Sequence, residues 1–136
     1  MAQKPLYEAQ AKQLFQHHWG VMPGKPVIHY TSVGPSTNLS DLLSPLGHEL
    51  AGRRGEREKR CVAKVDELFG KRGKLGYVKI AKNFKEAMQW IESLRGKTVH
   101  IGERCGILNH FLIEPFIEHT TEYYVSCVGE RGKDVI

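Results

Sequence analysis

The sequence predicts an α+β fold, a short mixed or antiparallel sheet with two to four flanking helices. Three observations carry this. Runs rich in β-branched and aromatic residues recur at 27–31, 61–65, 77–80, 98–101, 111–113 and 122–128. Two stretches, 7–19 and 83–95, space their apolar residues helically. The 136 residues, 40% hydrophobic and 26% charged, suffice for one domain with one core.

The elements follow in order. In 7–19, Ala9, Leu14 and Phe15 alternate with Glu8, Gln10, Lys12 and Gln16, and Gly20, Pro23 and Pro26 stop the helix. Residues 27–31 form a short strand bounded by Pro26 and by Gly34-Pro35. Residues 36–50 read as helical, with Thr37 or Asn38 as N-cap, although Pro45 and Gly47 interrupt them. Residues 51–60 are a charged loop. Strands at 61–65 and 77–80 flank a loop with three glycines in eight residues, 69–76. Asn83 opens a helix whose stripe is Phe84, Ala87, Met88, Ile91 and Leu94, and Gly96 closes it. Strands at 98–101 and 111–113 follow, the second running into Glu114-Pro115-Phe116-Ile117. A strand at 122–128, a turn at 129–132 and an apolar start at 134–136 complete the chain. The last piece resembles the first part of a returning hairpin strand, so the chain is expected to be a single partial domain, 1–136, of a longer protein.

Composition excludes several classes. No apolar run approaches the ~20 residues of a membrane span. The opening twelve residues carry no apolar segment of the signal-peptide kind. Three cysteines, Cys61, Cys105 and Cys127, without CxxC spacing suit free thiols in a reducing, cytoplasmic setting. The net charge of +5 is uneven. Residues 53–82 hold eleven Lys and Arg against four acids, a local balance of +7, and the rest of the chain sums to −2. Such a strip suits nucleic acid, nucleotide phosphates or solvent alone.

Some residues could carry chemistry. Residues 70–76, GKRGKLG, combine glycines that let backbone amides approach a ligand with Lys71, Arg72 and Lys74. The stretch is neither a P-loop nor GxGxxG, and a plain basic hairpin turn fits it equally well. Lys64 interrupts an apolar strand, so it either snorkels from an edge or points into a cleft. Pro115 removes a backbone donor after Glu114, which stops pairing and leaves extended backbone able to meet a planar ring. An ordinary strand end would look the same. Glu122, beside Tyr123, could accept from ribose hydroxyls or simply be solvated. The seven histidines form no metal pattern and no catalytic arrangement.

Three stretches then come together: VAKVDELFGKRGKLGYVKI at 62–80, HFLIEPFIEH at 110–119 and EYYVSCV at 122–128. In order and spacing they resemble the N-terminal part of the ATP-citrate lyase family, and more broadly the ATP-grasp region of the succinyl-CoA synthetase β-subunit type. The resemblance is strong from Cys61 onward and weaker over 1–60. It implies that Lys64 contacts nucleotide phosphates, that Arg72 and Gly73, with Lys71 beside them, line the nucleotide, that Pro115 and Ile117 offer backbone to adenine, and that Glu122 binds ribose. Val65 departs from the family's usual proline, and the stretch between His119 and Glu122 looks shorter than in animal relatives. The resemblance implies ATP as the ligand, with magnesium ligands and the phosphorylated histidine outside these residues. It also implies citrate and CoA bound elsewhere, a second subunit or the rest of the enzyme as partner, an oligomer, and inactivity of this portion alone. A citryl-CoA or succinyl-CoA synthetase subunit is the neighbouring reading. A small basic nucleic-acid module is the reading from another class, motivated by the basic strip and the tyrosine pair 123–124.

Overall fold

The structure is a computed structural model that describes residues 5–19, 24, 28–43, 59–126, 128–130 and 133–135. Its centre is a four-stranded antiparallel sheet in the order β1-β6-β2-β3. The strands are β1 (Thr31–Val33), β2 (Cys61–Val65), β3 (Val78–Ala81) and β6 (Phe111–Pro115). Helix α1 (Glu8–Trp19) precedes β1, a 3-10 helix (Leu39–Leu43) follows it, and α2 (Phe84–Leu94) follows β3. Two hairpins, β4 (Thr98–Ile101) with β5 (Arg104–Ile107) and β7 (Val128–Glu130) with β8 (Lys133–Val135), complete the described elements.

Register explains which side chains share a face. β2 pairs Cys61 with Ala81 and Ala63 with Lys79 on one side, and Ala63 with Ile113 and Val65 with Phe111 on the other. Because side chains alternate across a strand, Cys61, Ala63 and Val65 point to one face and Val62 and Lys64 to the opposite one. The first face is the core: Val33, Cys61, Ala63, Val65, Ala81, Phe111 and Ile113 are buried there with Phe84, Ala87, Met88 and Ile91 of α2. The Asn83 side chain caps α2 by accepting from the Glu86 N–H at 2.9 Å. Burial, with the Glu86 carboxylate adding to it, pushes the Cys61 thiol up to about 11 and leaves it a packing residue.

Some expectations need correction. The first strand is not 27–31: it starts at Thr31 and runs to Val33, paired with Ile113 to Phe111 of β6. Strand β6 itself stays paired with β2 as far as Pro115, so the proline does not stop the pairing at Glu114. Residue 27 lies outside the described residues. Of the expected helix 36–50, only the 3-10 turn at Leu39–Leu43 is observed, with Asn38 accepting from the Ser40 N–H at 3.2 Å. Residues 44–50 lie outside the described residues. Residues 122–126 are not strand. Tyr123, Tyr124 and Val125 are highly exposed, and β-propensity without a neighbouring ladder does not make a strand. The returning hairpin does form, but from β7 and β8. Strand β5 was not foreseen. It exists because Gly102, at φ 62°, closes a tight turn that folds the segment back on β4.

Candidate functional site

The face of the sheet opposite α2 carries charged residues beside apolar ones, where the core face carries buried hydrocarbon. Lys64 on β2 and Glu114 on β6 both project there, and they form an ion pair. Helix α1 meets them with Glu8 and Lys12, an i,i+4 pair 3.3 Å apart. Lys64 donates to Glu8 Oε1 at 2.9 Å, and Lys12 pairs with Glu114. Arg72, from the glycine-rich loop, donates one N–H to Glu8 Oε2 at 2.6 Å and another to the Val65 carbonyl at 2.7 Å. Lys64, Arg72 and Glu8 are each about 22–23% exposed. Burial alone raises the Glu8 carboxyl, but hydrogen bonds and charge from Lys64 and Arg72 outweigh it and bring it down to about 2. Burial alone lowers the Lys64 ammonium, but Glu114 and Glu8 outweigh it and raise it.

Asp66 anchors this arrangement. Its carboxylate, buried at 2% exposure, accepts the N–H groups of Glu8 at 2.7 Å and Ala9 at 3.0 Å. A helix leaves its first N–H groups without partners, and here another element supplies the cap. The Asp66 N–H in turn donates to the His110 carbonyl at 2.7 Å. Tyr7, just before α1, packs its ring 4.5 Å from that of His110.

Next to the charges a cleft of about 590 Å³ opens. Lys12, Lys64 and Glu114 line one part of it, Val62, Val78 and Ile80 supply apolar wall, and Pro115, Phe116, Ile117, His119 and Glu122 supply the rest, with Ile28 and His29. His119 faces the Ile117 carbonyl through Nδ1 at 2.9 Å and Glu122 through Nε2 at 2.7 Å. The carbonyl and then Glu122 raise the imidazole above its ordinary value.

The expected site residues are thus divided. Lys64, Pro115, Ile117 and Glu122 line one cleft. Arg72 does not line it and joins Lys64 through Glu8. Lys71 and Gly73 sit on the exposed loop, Lys71 in the left-handed region at φ 61°. That loop closes on itself: the Tyr77 N–H donates to the Arg72 carbonyl and the Leu75 N–H to the Lys71 carbonyl. A Cβ at Gly70 or Gly73 would meet nothing within 4 Å, so the backbone there is open to approach.

Sequence reasoning missed Glu8, Lys12, Asp66 and His119 as members of the site. The spacing of Glu8 and Lys12 was the available signal, and it says nothing about Lys64 or Arg72. The charged run before β2 is partly explained. Arg60 pairs with Glu118 and lies 4.3 Å from the Phe116 ring centroid, while residues 53–58 lie outside the described residues. Cys105 is exposed, and Cys127 lies outside the described residues. Among the described residues, no group of three or more His, Cys, Asp or Glu could hold a metal ion, and no helix is long and apolar enough to cross a membrane.

The class that this fold and its charged face match is the ATP-grasp domain. A solved ATP citrate lyase from Methanothrix soehngenii, in complex with citrate and coenzyme A, superposes with a TM-score of 0.76 at 32% identity, covering 98% of this chain and 31% of that one. The chain belongs to the family of ATP-citrate synthase ATP-grasp domains, whose model matches residues 2–136. ATP-citrate synthase alpha chain protein 1 of Arabidopsis thaliana is 31% identical over 137 residues, 96% of this chain and 30% of that protein. A probable ATP-citrate synthase subunit 2 of Schizosaccharomyces pombe is 39% identical over 82 residues, 59% of this chain and 17% of its own length. The chain spans about 30% of the length of the Arabidopsis relative.

Proposed function

We propose that this chain is the nucleotide-binding portion of an ATP-citrate lyase. The observation that carries the reading is one cleft lined by Lys64, Pro115, Ile117 and Glu122 on the open face of the sheet. Its parts suit a nucleotide. Lys64 gives a cation for phosphate oxygens, and Glu8 and Glu114 engage two of its three N–H groups. Val62, Val78, Ile80 and Phe116 offer apolar surface to a base, and the strand end at Pro115 and Ile117 offers backbone polar groups to its edge. Glu122 is the acceptor for ribose hydroxyls. Arg72, Lys71 and the open backbone at Gly73 extend the phosphate-binding surface.

In this reading the complete enzyme uses ATP with magnesium to phosphorylate a histidine, passes the phosphate to citrate, forms citryl-CoA and cleaves it to acetyl-CoA and oxaloacetate. This chain's share is to bind the nucleotide, orient it and neutralise phosphate charge through Lys64 and Arg72. Citrate, CoA, the phosphorylated histidine and the magnesium ligands belong to the rest of the enzyme or to a second subunit, within a cytoplasmic oligomer. The match of residues 2–136 to an ATP-grasp domain family supports this reading over a nucleic-acid module.

Calorimetric titration of the full-length protein with magnesium and ADP tests the reading. Lys64→Met is expected to weaken binding by about tenfold or more, the scale of losing one charge-assisted hydrogen bond. Unchanged affinity would overturn the proposal.

A further inference from the structure

We infer that Glu8 is a positioning residue of the nucleotide site, a carboxylate that fixes the Lys64 ammonium and the Arg72 guanidinium relative to each other. The inference rests on the reading that these two cations meet phosphate.

The geometry assigns the role. Lys64 and Arg72 come from different elements, an inner strand of the sheet and the loop beyond it. Each has a long stem with several rotatable bonds, so neither is fixed by its backbone alone. Glu8 comes from a third element and gives one oxygen to each: Oε1 to Lys64 at 2.9 Å, Oε2 to Arg72 at 2.6 Å. Arg72 is gripped on its other side by the Val65 carbonyl at 2.7 Å. The guanidinium therefore has two fixed acceptors and one orientation.

Glu8 is itself held. Its backbone N–H donates to Asp66 at 2.7 Å, and Asp66 directly follows the residue whose carbonyl grips Arg72. Backbone of β2, cap, carboxylate and guanidinium thus close a ring of short contacts. Lys64 has a second anchor in Glu114, which also pairs with Lys12, so its ammonium is drawn between two carboxylates. Pre-set cations act on a phosphate without first reorganising, which is where their orientation matters.

A contrary role is conceivable for the same contacts. A carboxylate on two cations could stand in for a phosphate and have to leave when nucleotide arrives. The pinning of the Glu8 backbone by Asp66 argues against it, and the two roles predict opposite signs. If Glu8 positions the cations, its removal weakens nucleotide binding. If it competes with phosphate, its removal tightens binding.

The experiment is a mutant cycle read by titration of the full-length protein with magnesium and ADP. Glu8→Gln is expected to weaken binding by about tenfold, and Glu8→Asp, which keeps the charge but is one methylene too short to reach both cations, to weaken it by at least about threefold. Adding Glu8→Gln to a Lys64→Met/Arg72→Met protein is expected to change affinity by less than about twofold, because a residue that acts through the two cations has nothing left to act through. A further tenfold loss in that background would mean a general structural effect and would overturn the inference. So would unchanged or tighter binding in Glu8→Gln alone. If Lys64→Met/Arg72→Met itself leaves affinity unchanged, the phosphate reading falls and the inference with it, an outcome distinct from failure of Glu8 alone.

Discussion

Two helices flank one sheet, and they are held by opposite means. Helix α2 buries Phe84, Ala87, Met88 and Ile91 against Cys61, Ala63, Val65 and Ala81. No residue of helix α1 is itself fully buried. It is attached by its first turn, through the Asp66 cap, the Glu8 carboxylate and the Tyr7 ring, with Lys12 reaching Glu114. Apolar docking is non-directional and scales with area. Polar docking depends on a few atoms in set positions and on pH. The difference teaches that the core face carries the stability and the charged face the arrangement of the site.

The comparison can be broken first on the apolar side. Ile91 is fully buried on α2, and Ile91→Ala is expected to cost about 3 kcal/mol in denaturant unfolding, within the range for a buried aliphatic site. A cost under about 1 kcal/mol would show that α2 is not docked as described.

Asp66→Asn comes next. It leaves one acceptor for two helix N–H groups and turns an amide toward the other. We expect a loss of about 2 kcal/mol. Hydrogen exchange should localise the effect: the amides of Glu8 and Ala9 should exchange faster while those of α2 stay protected. Equal loosening of both helices would contradict the separation drawn here.

Acid sharpens the contrast. The folded Glu8 carboxyl lies at about 2, below its ordinary value of 4.5. A depressed carboxyl stabilises the fold fully above the unfolded value and loses that contribution as pH falls through the folded one. Stability should therefore decline between about pH 5 and pH 2, and Glu8→Gln should flatten that decline. Equal pH profiles for the two proteins would mean that other carboxylates dominate.

The smallest effect is expected at Lys79, 40% exposed, whose partner Glu86 is 33% exposed at 3.2 Å. Lys79→Met should change stability by less than about 0.5 kcal/mol, as exposed pairs do.

What was legible in the sequence follows the same division. The α2 stripe and its Asn83 cap were readable because every determinant lies within four residues of another. Strand β2 and the start of β6 were readable as short apolar runs with turn signals. Strand β5 was not, because Arg-Cys-Gly-Ile has weak intrinsic preference and is strand only through pairing with β4. Residues 122–126 failed in the opposite sense, with high β-propensity and no ladder. Of the residues that the family resemblance singled out, Lys64, Pro115, Ile117 and Glu122 line one cleft, while Lys71, Arg72 and Gly73 do not. Spacing alone could not bring Glu8 to Arg72, 64 residues away, or Lys12 to Glu114, 102 residues away. The carboxylates that offset Lys64, Arg72 and Arg60 come from distant parts of the chain.

The Asp66 cap also has a consequence in time. A twelve-residue helix alone in water is marginal, and α1 receives its N-terminal acceptor from a residue 58 positions further on. Its first turn therefore has no reason to persist until β2 stands in the sheet. Helix α1 is thus expected to join at the closing stage of folding, and Asp66→Asn should speed unfolding severalfold and leave the refolding rate nearly unchanged. The helix that carries Glu8 is then also expected to leave first, and the bridge that Glu8 makes between Lys64 and Arg72 lasts only as long as that end of the molecule stays closed.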